Sequence, residues 1–508
     1  MNLKKALKLF LALCLALSIL VCGVALADEA PDEPKVLKLA ESFAYPSLDV
    51  HKDYYGWYTS IYGISETLFR VEDDLSIEPL LADGVEVSED GLTWTIALKD
   101  GAAFSNGSPV TADMVARNLQ RLAEVNERFA YLADFTVAAV DEKTLTITTP
   151  DIYPTMLSDL TAPEMGIMDL DATADFDNAP ICTGPFVVKS FEPEGTVEVE
   201  RNAAYWNGDV KLDGAVFYYL QDDESKLMAM QNGEIGGYTS VTAAAKEIFS
   251  AEPDRYVLTS IPATRLQFYV LNETRLDENV RAAINLTVDC EAIASYLGGT
   301  VSPAVGPFSA AAPYGQVTKP APDQAAAKAA LEAAGYALND KGMYEKDGEV
   351  LTLNICYYAA RSLDSIALLM QEQLKAVGVD STLTVQEDPD STYVATGDYD
   401  IALYCMIADK AGDPYYCIDA LFRQDSRWAI GGFKSDECEA LINQLQYETD
   451  VDERAALANQ IVQIVIDDNA FGFVGLFNKT TVTAPGVVNI SEGCPFDFYG
   501  VNAETEMP

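Results

Sequence analysis

Acid–base and metal chemistry near neutral pH most often enlists imidazole, and this 508-residue chain has a single histidine, His51. It follows Ser47-Leu48-Asp49-Val50 and reads as a turn or surface residue rather than as a ligand. A serine nucleophile would have to take that one imidazole as its base, and neither Gly-x-Ser-x-Gly nor His-Glu-x-x-His occurs. Beyond residue 27 there are seven cysteines: Cys182, Cys290, Cys356, Cys405, Cys417, Cys438 and Cys494. The odd number leaves at least one unpaired, and none forms Cys-x-x-Cys. A zinc site of ordinary composition is therefore not expected, and most of these thiols read as buried core residues. Carboxylate-pair catalysis cannot be judged by counting, because 79 acids offer many accidental pairs. The expectation is a protein that is not an enzyme, with no cofactor and no metal ligands of its own. An exported carboxylate-dependent hydrolase is the alternative.

The first segment reads as an export signal. Lys4, Lys5 and Lys8 precede an almost wholly apolar Leu9–Val24, and Ala25-Leu26-Ala27 supplies a small-x-small cleavage pattern. The rival reading is a lipoprotein anchored at Cys22, where Val21 stands in place of the usual small residue. No later stretch reaches the roughly 18 to 20 apolar residues of a spanning helix. The net charge is −46, and losing the three leader lysines deepens it. Such a surface repels phosphate backbones, so nucleic acid is excluded as a partner; its plain meaning is solubility.

The remaining chain is too long for one core. Val36–Leu39 reads as a first strand, and Leu92, Trp94, Ile96 and Leu98 alternate as in a half-buried strand. In Thr111–Val125 the period changes to helical, with Thr111 as N-cap. Thr144–Thr149 is a strand, Gly184–Glu200 a hairpin, and Leu266, Phe268 and Val270 mark a passage between lobes. Asp323–Ala334 is a helix stopped by Gly335. Leu351–Tyr357, Asp364–Val377 and Ser381–Val385 follow as strand, helix and strand, with Asp400–Ile407 a further strand; this order implies a parallel sheet with a helical crossover. The fold expected is α/β and two-lobed, with an extra β-rich subdomain and the ligand cleft between the lobes.

Five motifs in order resemble one family. They are Pro79–Ala82 with Glu89–Thr95 and Phe104–Asp113; Thr183–Phe186 with Arg201-Asn202 and Tyr205-Trp206; Val280–Asn285 with Asp289; Ala327-Lys328 through Tyr336; and Tyr399–Ile401 with Asp413-Pro414. Together they resemble the family 5 extracellular solute-binding proteins of oligopeptide, dipeptide, nickel and metallophore importers. Gly56–Leu68 and Asn126–Leu132 look closest to the nickel and opine-metallophore branch. After the signal peptide (1–27), the resemblance implies a periplasmic-binding-protein-like fold with a lobe I (28–58, 181–262 and 485–508), a β-rich insertion (59–180) and a lobe II (263–484). It implies the substrate-binding component of an ABC importer: a monomer that closes around a small peptide-like, amino-acid-derived or metal-chelate solute. Its partners would be the membrane permease with its ATPase, which it would meet from the periplasm or from the outer face of the cytoplasmic membrane. Service to a sensor or an envelope chaperone is the other role a binding protein of this kind can fill.

The resemblance also points to site residues. Arg128 and Tyr131 match an arginine and aromatic that line the branch's pocket, the guanidinium suiting a ligand carboxylate; on the sequence alone Arg128 could instead pair with Glu124 or Glu127 along a helix. Glu164 stands where the branch has a second arginine, which disfavours a polycarboxylate chelate and favours an amine. The branch's nickel-touching histidine is replaced within Gln424-Asp425-Ser426, so a metal would arrive in its own chelator. Asp409 lies where peptide-binding members hold an α-ammonium, one residue further from Asp413-Pro414; Lys410 could also simply neutralise it. Among Trp57, Tyr58, Tyr404, Tyr415 and Tyr416, only Tyr58 gains from the match as a pocket wall. Arg128 and Asp409 together describe a zwitterionic ligand: a dipeptide, an opine or a metal chelate.

Overall fold

A computed structural model of the protein describes residues 34–491 and 493–508. The leader, its cleavage site and Cys22 lie outside the described residues. No described helix is long and apolar enough to cross a membrane.

One eleven-stranded sheet organises the molecule. From one edge to the other its strands are Asp380–Val385, Thr352–Tyr357, Ile401–Ile407, Val257–Leu271, Phe471–Thr483, Gly237–Thr239, Val36–Glu41, Gly214–Tyr219, Val197–Arg201 and Phe186–Phe191, with Val301–Pro303 pairing separately on Phe471–Thr483. Two strands are shared by both halves. Val257–Pro262 pairs with Asn478–Thr483 beside Gly237–Thr239, while Leu266–Val270 pairs with Phe471–Leu476 beside Ile401–Ile407. The register slips between Pro262 and Leu266. There the antiparallel pair loses its ladder between the two halves, the place where bending disrupts the fewest hydrogen bonds.

The local expectations hold where periodicity was clear. Trp94, Ile96 and Leu98 are the buried residues of strand Thr93–Leu98. Thr111 Oγ1 accepts from the Met114 amide at 3.2 Å, capping helix Ala112–Val125, whose Val115, Leu119 and Leu122 face the core. Strands Thr352–Tyr357 and Asp380–Val385 are parallel, joined across helix Leu363–Ala376. Helix Gln324–Ala333 is followed by Gly335 at φ +87°, a conformation glycine adopts without cost.

In the second half both sheet faces are covered. Helices Asp436–Tyr447 and Val451–Asp468 pack on one face against Phe268 and Leu266, and helices Glu278–Thr287 and Leu363–Ala376 pack on the other against Tyr269 and Leu271. Alternation at Leu266, Phe268 and Val270 reports only one of these layers, since Gln267 and Tyr269 are buried too. A separate four-stranded antiparallel sheet, ordered Ala82–Val87, Thr93–Leu98, Thr144–Thr148 and Thr136–Ala139, encloses its own core with helix Ala112–Val125. The C-terminal segment returns to the first half, where the Val501 amide donates to Ile61 O at 3.0 Å.

Candidate ligand-binding site

Asn126 starts the construction of the site. Its side chain is buried, donates to the carbonyls of His51 and Asp53 at 3.0 Å each, and accepts from the Arg128 amide at 3.2 Å. This fixes the start of the 3-10 helix Glu127–Asp134. Side chains three apart eclipse in a 3-10 helix, so Arg128 and Tyr131 project from one edge while Phe129 and Leu132 enter the core.

Arg128 Nη1 pairs with Glu164 Oε1 at 2.7 Å, and its guanidinium lies 4.1 Å from the centre of the Tyr54 ring. Glu164 is 1% exposed and Arg128 40% exposed, so the pair presents its cation outward. Burial pushes the Glu164 carboxyl up, against the pull of Arg128 and Lys410. The candidate pocket arginine and the acid that replaces its fellow arginine are therefore each other's partners, and neither Glu124 nor Glu127 is the counter-ion. Gly56 explains how Glu164 is seated: a Cβ on it would stand 2.7 Å from the Glu164 backbone, so helix Tyr55–Ile61 lies directly on this turn.

Tyr131 donates to Asp159 Oδ2 at 2.8 Å, and Tyr153 donates to the same oxygen at 2.6 Å. The other oxygen, Oδ1, meets Lys410 Nζ at 3.4 Å. Ser158 Oγ donates to the Lys410 carbonyl at 2.5 Å. Lys410 belongs to the loop after strand Ile401–Ile407, so these contacts join the two halves of the molecule across the cleft. Its ammonium also lies 5.9 Å from the Phe129 ring and 5.8 Å from the Tyr416 ring. On the second half, Tyr416 borders an open cavity of about 780 Å³ that Tyr404, Met406 and Arg427 also line.

Asp409 faces inward. Its Oδ2 accepts from Tyr314 at 2.5 Å and its Oδ1 from the Gly412 amide at 2.7 Å. Burial raises its carboxyl to about 6. Lys410 turns away from it, towards Asp159. Tyr58 lies on the first half, 4.0 Å ring to ring from Tyr45, whose hydroxyl donates to it at 2.9 Å. The structure thus brings Arg128, Glu164 and Tyr131 together at one rim, while Asp409 is turned to Tyr314 and the Gly412 amide and Tyr58 to Tyr45. Trp57 packs at 5.2 Å on Phe498, and Tyr415 donates to Asp419.

His51 is buried rather than a surface residue. Arg121 donates to its Nδ1 at 3.0 Å, which leaves the proton on Nε2 for the Gly166 carbonyl at 3.1 Å. Both nitrogens are occupied, and burial with the Arg121 charge lowers its pKa to about 4. All seven described cysteines are free and buried. No group of three or more histidine, cysteine, aspartate or glutamate residues among those described is arranged to hold a metal ion. Asp159 escaped sequence reasoning because no motif marks it, and Lys410 was read only against its chain neighbour.

The family model for bacterial extracellular solute-binding proteins, family 5 (middle), matches residues 76–427. The chain belongs to this family. The nickel-binding protein NikA of Staphylococcus aureus (strain NCTC 8325) is 25% identical over 447 residues, 88% of this chain and 89% of that one. The nickel-binding periplasmic protein of Escherichia coli (strain K12) is 29% identical over 351 residues, 64% of this chain and 66% of that one. Among solved structures, a nickel ABC transporter protein from Bacillus halodurans superposes with a TM-score of 0.82 at 26% identity, covering 93% of this chain and 99% of that one. NikA from Brucella suis with Fe(III)-EDTA shares the fold at TM-score 0.82 and 22% identity, covering 94% and 100%. The two-lobed α/β architecture and the role of substrate-binding component for an ABC importer follow from this membership, whose members are binding proteins rather than enzymes.

Proposed function

We propose that this protein captures a small zwitterionic solute, such as a dipeptide, an opine or an amino-acid metal chelate, between its two halves and presents the closed form to a membrane permease and its ATPase. The observation that carries this reading is the contact of Lys410 with Asp159 and Ser158, which bridges the rim of a cleft whose halves share two long strands. We assign the halves as lobe I (28–58, 181–262, 485–508) and lobe II (263–484), with 59–180 as the insertion. Closure about the slipped register near Pro262 is the hinge motion such proteins use.

Arg128 is the carboxylate anchor in this scheme. Its exposed face is available to a ligand, but Glu164 already occupies one nitrogen and cancels much of its charge. A single carboxylate suits such a site better than a polyanion. Relatives named for nickel direct attention to chelates. With no imidazole at the cleft, any nickel is cargo carried by its own chelator. Thermal unfolding against dipeptides, amino acids, opines and nickel chelates tests the reading: binding at a hundredfold excess over Kd stabilises by about 2.7 kcal/mol. A shift lost in Arg128→Ala supports it, and a panel without any shift rejects this ligand class.

A further inference from the structure

Glu41 ends strand Val36–Glu41, which is paired in parallel on both sides, with Gly214–Tyr219 and with Gly237–Thr239. The carboxyl end of such a strand is where open α/β sheets hold ligands. Its backbone carbonyl is used by the Leu220 amide at 2.9 Å. Its carboxylate accepts no hydrogen bond from any described residue, although burial is deep enough to raise it to about 7 against the pull of Lys226 and Lys479. The residue as a whole is half-buried. A secluded carboxylate without donors is costly unless a partner arrives.

The two lysines are committed to other groups. Lys226 Nζ holds Ser42 Oγ and Asp223 Oδ1, each at 2.7 Å. Lys479 Nζ donates to the carbonyls of Ser491, Cys494 and Phe496 at 2.7, 3.1 and 3.0 Å. Beside Glu41 stand Tyr58 and Tyr62; burial raises both phenols, and the nearby Glu41 charge adds to the rise. Tyr45 packs 4.0 Å from Tyr58 and 5.7 Å from Tyr55. Next along the chain, Tyr54 carries the Arg128 guanidinium on its face. Tyr45, Tyr55 and Tyr58 form one ring cluster near Glu41, Tyr54 joins it through the chain to Arg128, and tyrosine faces favour cations.

We infer that Glu41 receives the cationic nitrogen of the captured solute, across this tyrosine cluster from Arg128. This rests on the capture reading above and moves the amine site from Asp409, whose two oxygens are already taken, to the end of the first strand. Charged hydrogen bonds of this kind contribute enough to change affinity roughly tenfold or more.

The test is titration calorimetry of the exported chain with L-alanyl-L-alanine, glycylglycine and L-histidine, each beside its N-acetyl derivative, and with nickel bis-histidine. The expected result is a free-amine probe binding at least about tenfold tighter than its acetylated counterpart. Glu41→Gln should abolish that preference without moving the acetylated probe. If Glu41→Gln does not fold, Glu41→Asp takes its place, and the free-amine probe alone should weaken. Equal binding of both members of each pair, or a preference that survives the substitution, overturns the Glu41 assignment and leaves capture standing. Binding confined to nickel bis-histidine, whose amines are already coordinated, does the same. No binding in any arm overturns both readings.

Discussion

Arg128 and Glu164 lie 36 positions apart in sequence and are joined at 2.7 Å, the carboxylate buried and the guanidinium half-open to the cleft. Removing the cation strands a buried charge, whereas neutralising the acid leaves an arginine that water can still reach. Arg128→Ala should therefore destabilise the protein by about 1–3 kcal/mol, the partial exposure of the pair keeping the cost below that of a fully buried one. Glu164→Gln should be nearly neutral, and the double variant should recover much of the loss. Chemical denaturation of the four proteins checks this; strict additivity would contradict it.

Glu164→Gln also frees the Arg128 charge for ligands. A polycarboxylate probe such as nickel–EDTA should bind the variant at least several-fold more tightly than it binds wild type, while a mono-carboxylate dipeptide gains less. Calorimetry with both probes is the measurement, and an unchanged affinity for the chelate would exclude Glu164 as the discriminating residue.

Lys410 and Asp159 meet across the rim between the two halves. The pair is partly exposed and long at 3.4 Å, so it contributes at most about 1 kcal/mol. Lys410→Ala should shift the population towards open forms by no more than roughly fivefold. Small-angle scattering should show a larger radius of gyration without ligand and a return to the wild-type value with it. Identical curves for both proteins would show that the contact does not govern closure.

Asp409 gives a pH signature of known sign. Its carboxyl is raised from 3.8 to about 6 by burial, so the folded state holds this proton more tightly than the unfolded chain does. Its contribution is complete below about pH 4 and is lost as pH rises through 6. Asp409→Asn should therefore gain on wild type by on the order of 2 kcal/mol between pH 4 and 7. Unfolding free energies at the two pH values decide it, and a constant difference would contradict this burial of the carboxyl.

His51 acts in the opposite sense. Its pKa falls from 6.5 to about 4, so stability from this group is present above 6.5 and lost as pH falls towards 4. His51→Gln should flatten the acid limb of the stability profile in that window. An unaltered slope would mean that the ring is protonated in the native state.

Periodic elements with one dominant face were legible before any coordinates. Thr111 announced its helix because a cap is a local hydrogen bond, and Ile366, Met370 and Leu374 announced theirs because one face alone is buried. Strand Phe471–Thr483 and helix Val451–Asp468 went unread: the strand is covered on both faces, so no alternation remains, and the helix shows a broad apolar face beside acidic caps. At the site, Arg128 and Tyr131 could be singled out as residues, but not their partners.

The sequence by itself determined the family, the two-lobed α/β plan, the acidic surface and the absence of a histidine-based centre, since these depend on composition, order and short-range periodicity. Only the tertiary structure decided which charges meet: Arg128 with Glu164, Lys410 with Asp159, Asp409 with Tyr314, and Glu41 with the more distant charges of Lys226 and Lys479 but no hydrogen bond from a described residue. The reason is physical. Whether a carboxylate is a ligand anchor or a structural acceptor depends on the donors and the water that reach it, and residues tens to hundreds of positions away supply the donors and shut out the water.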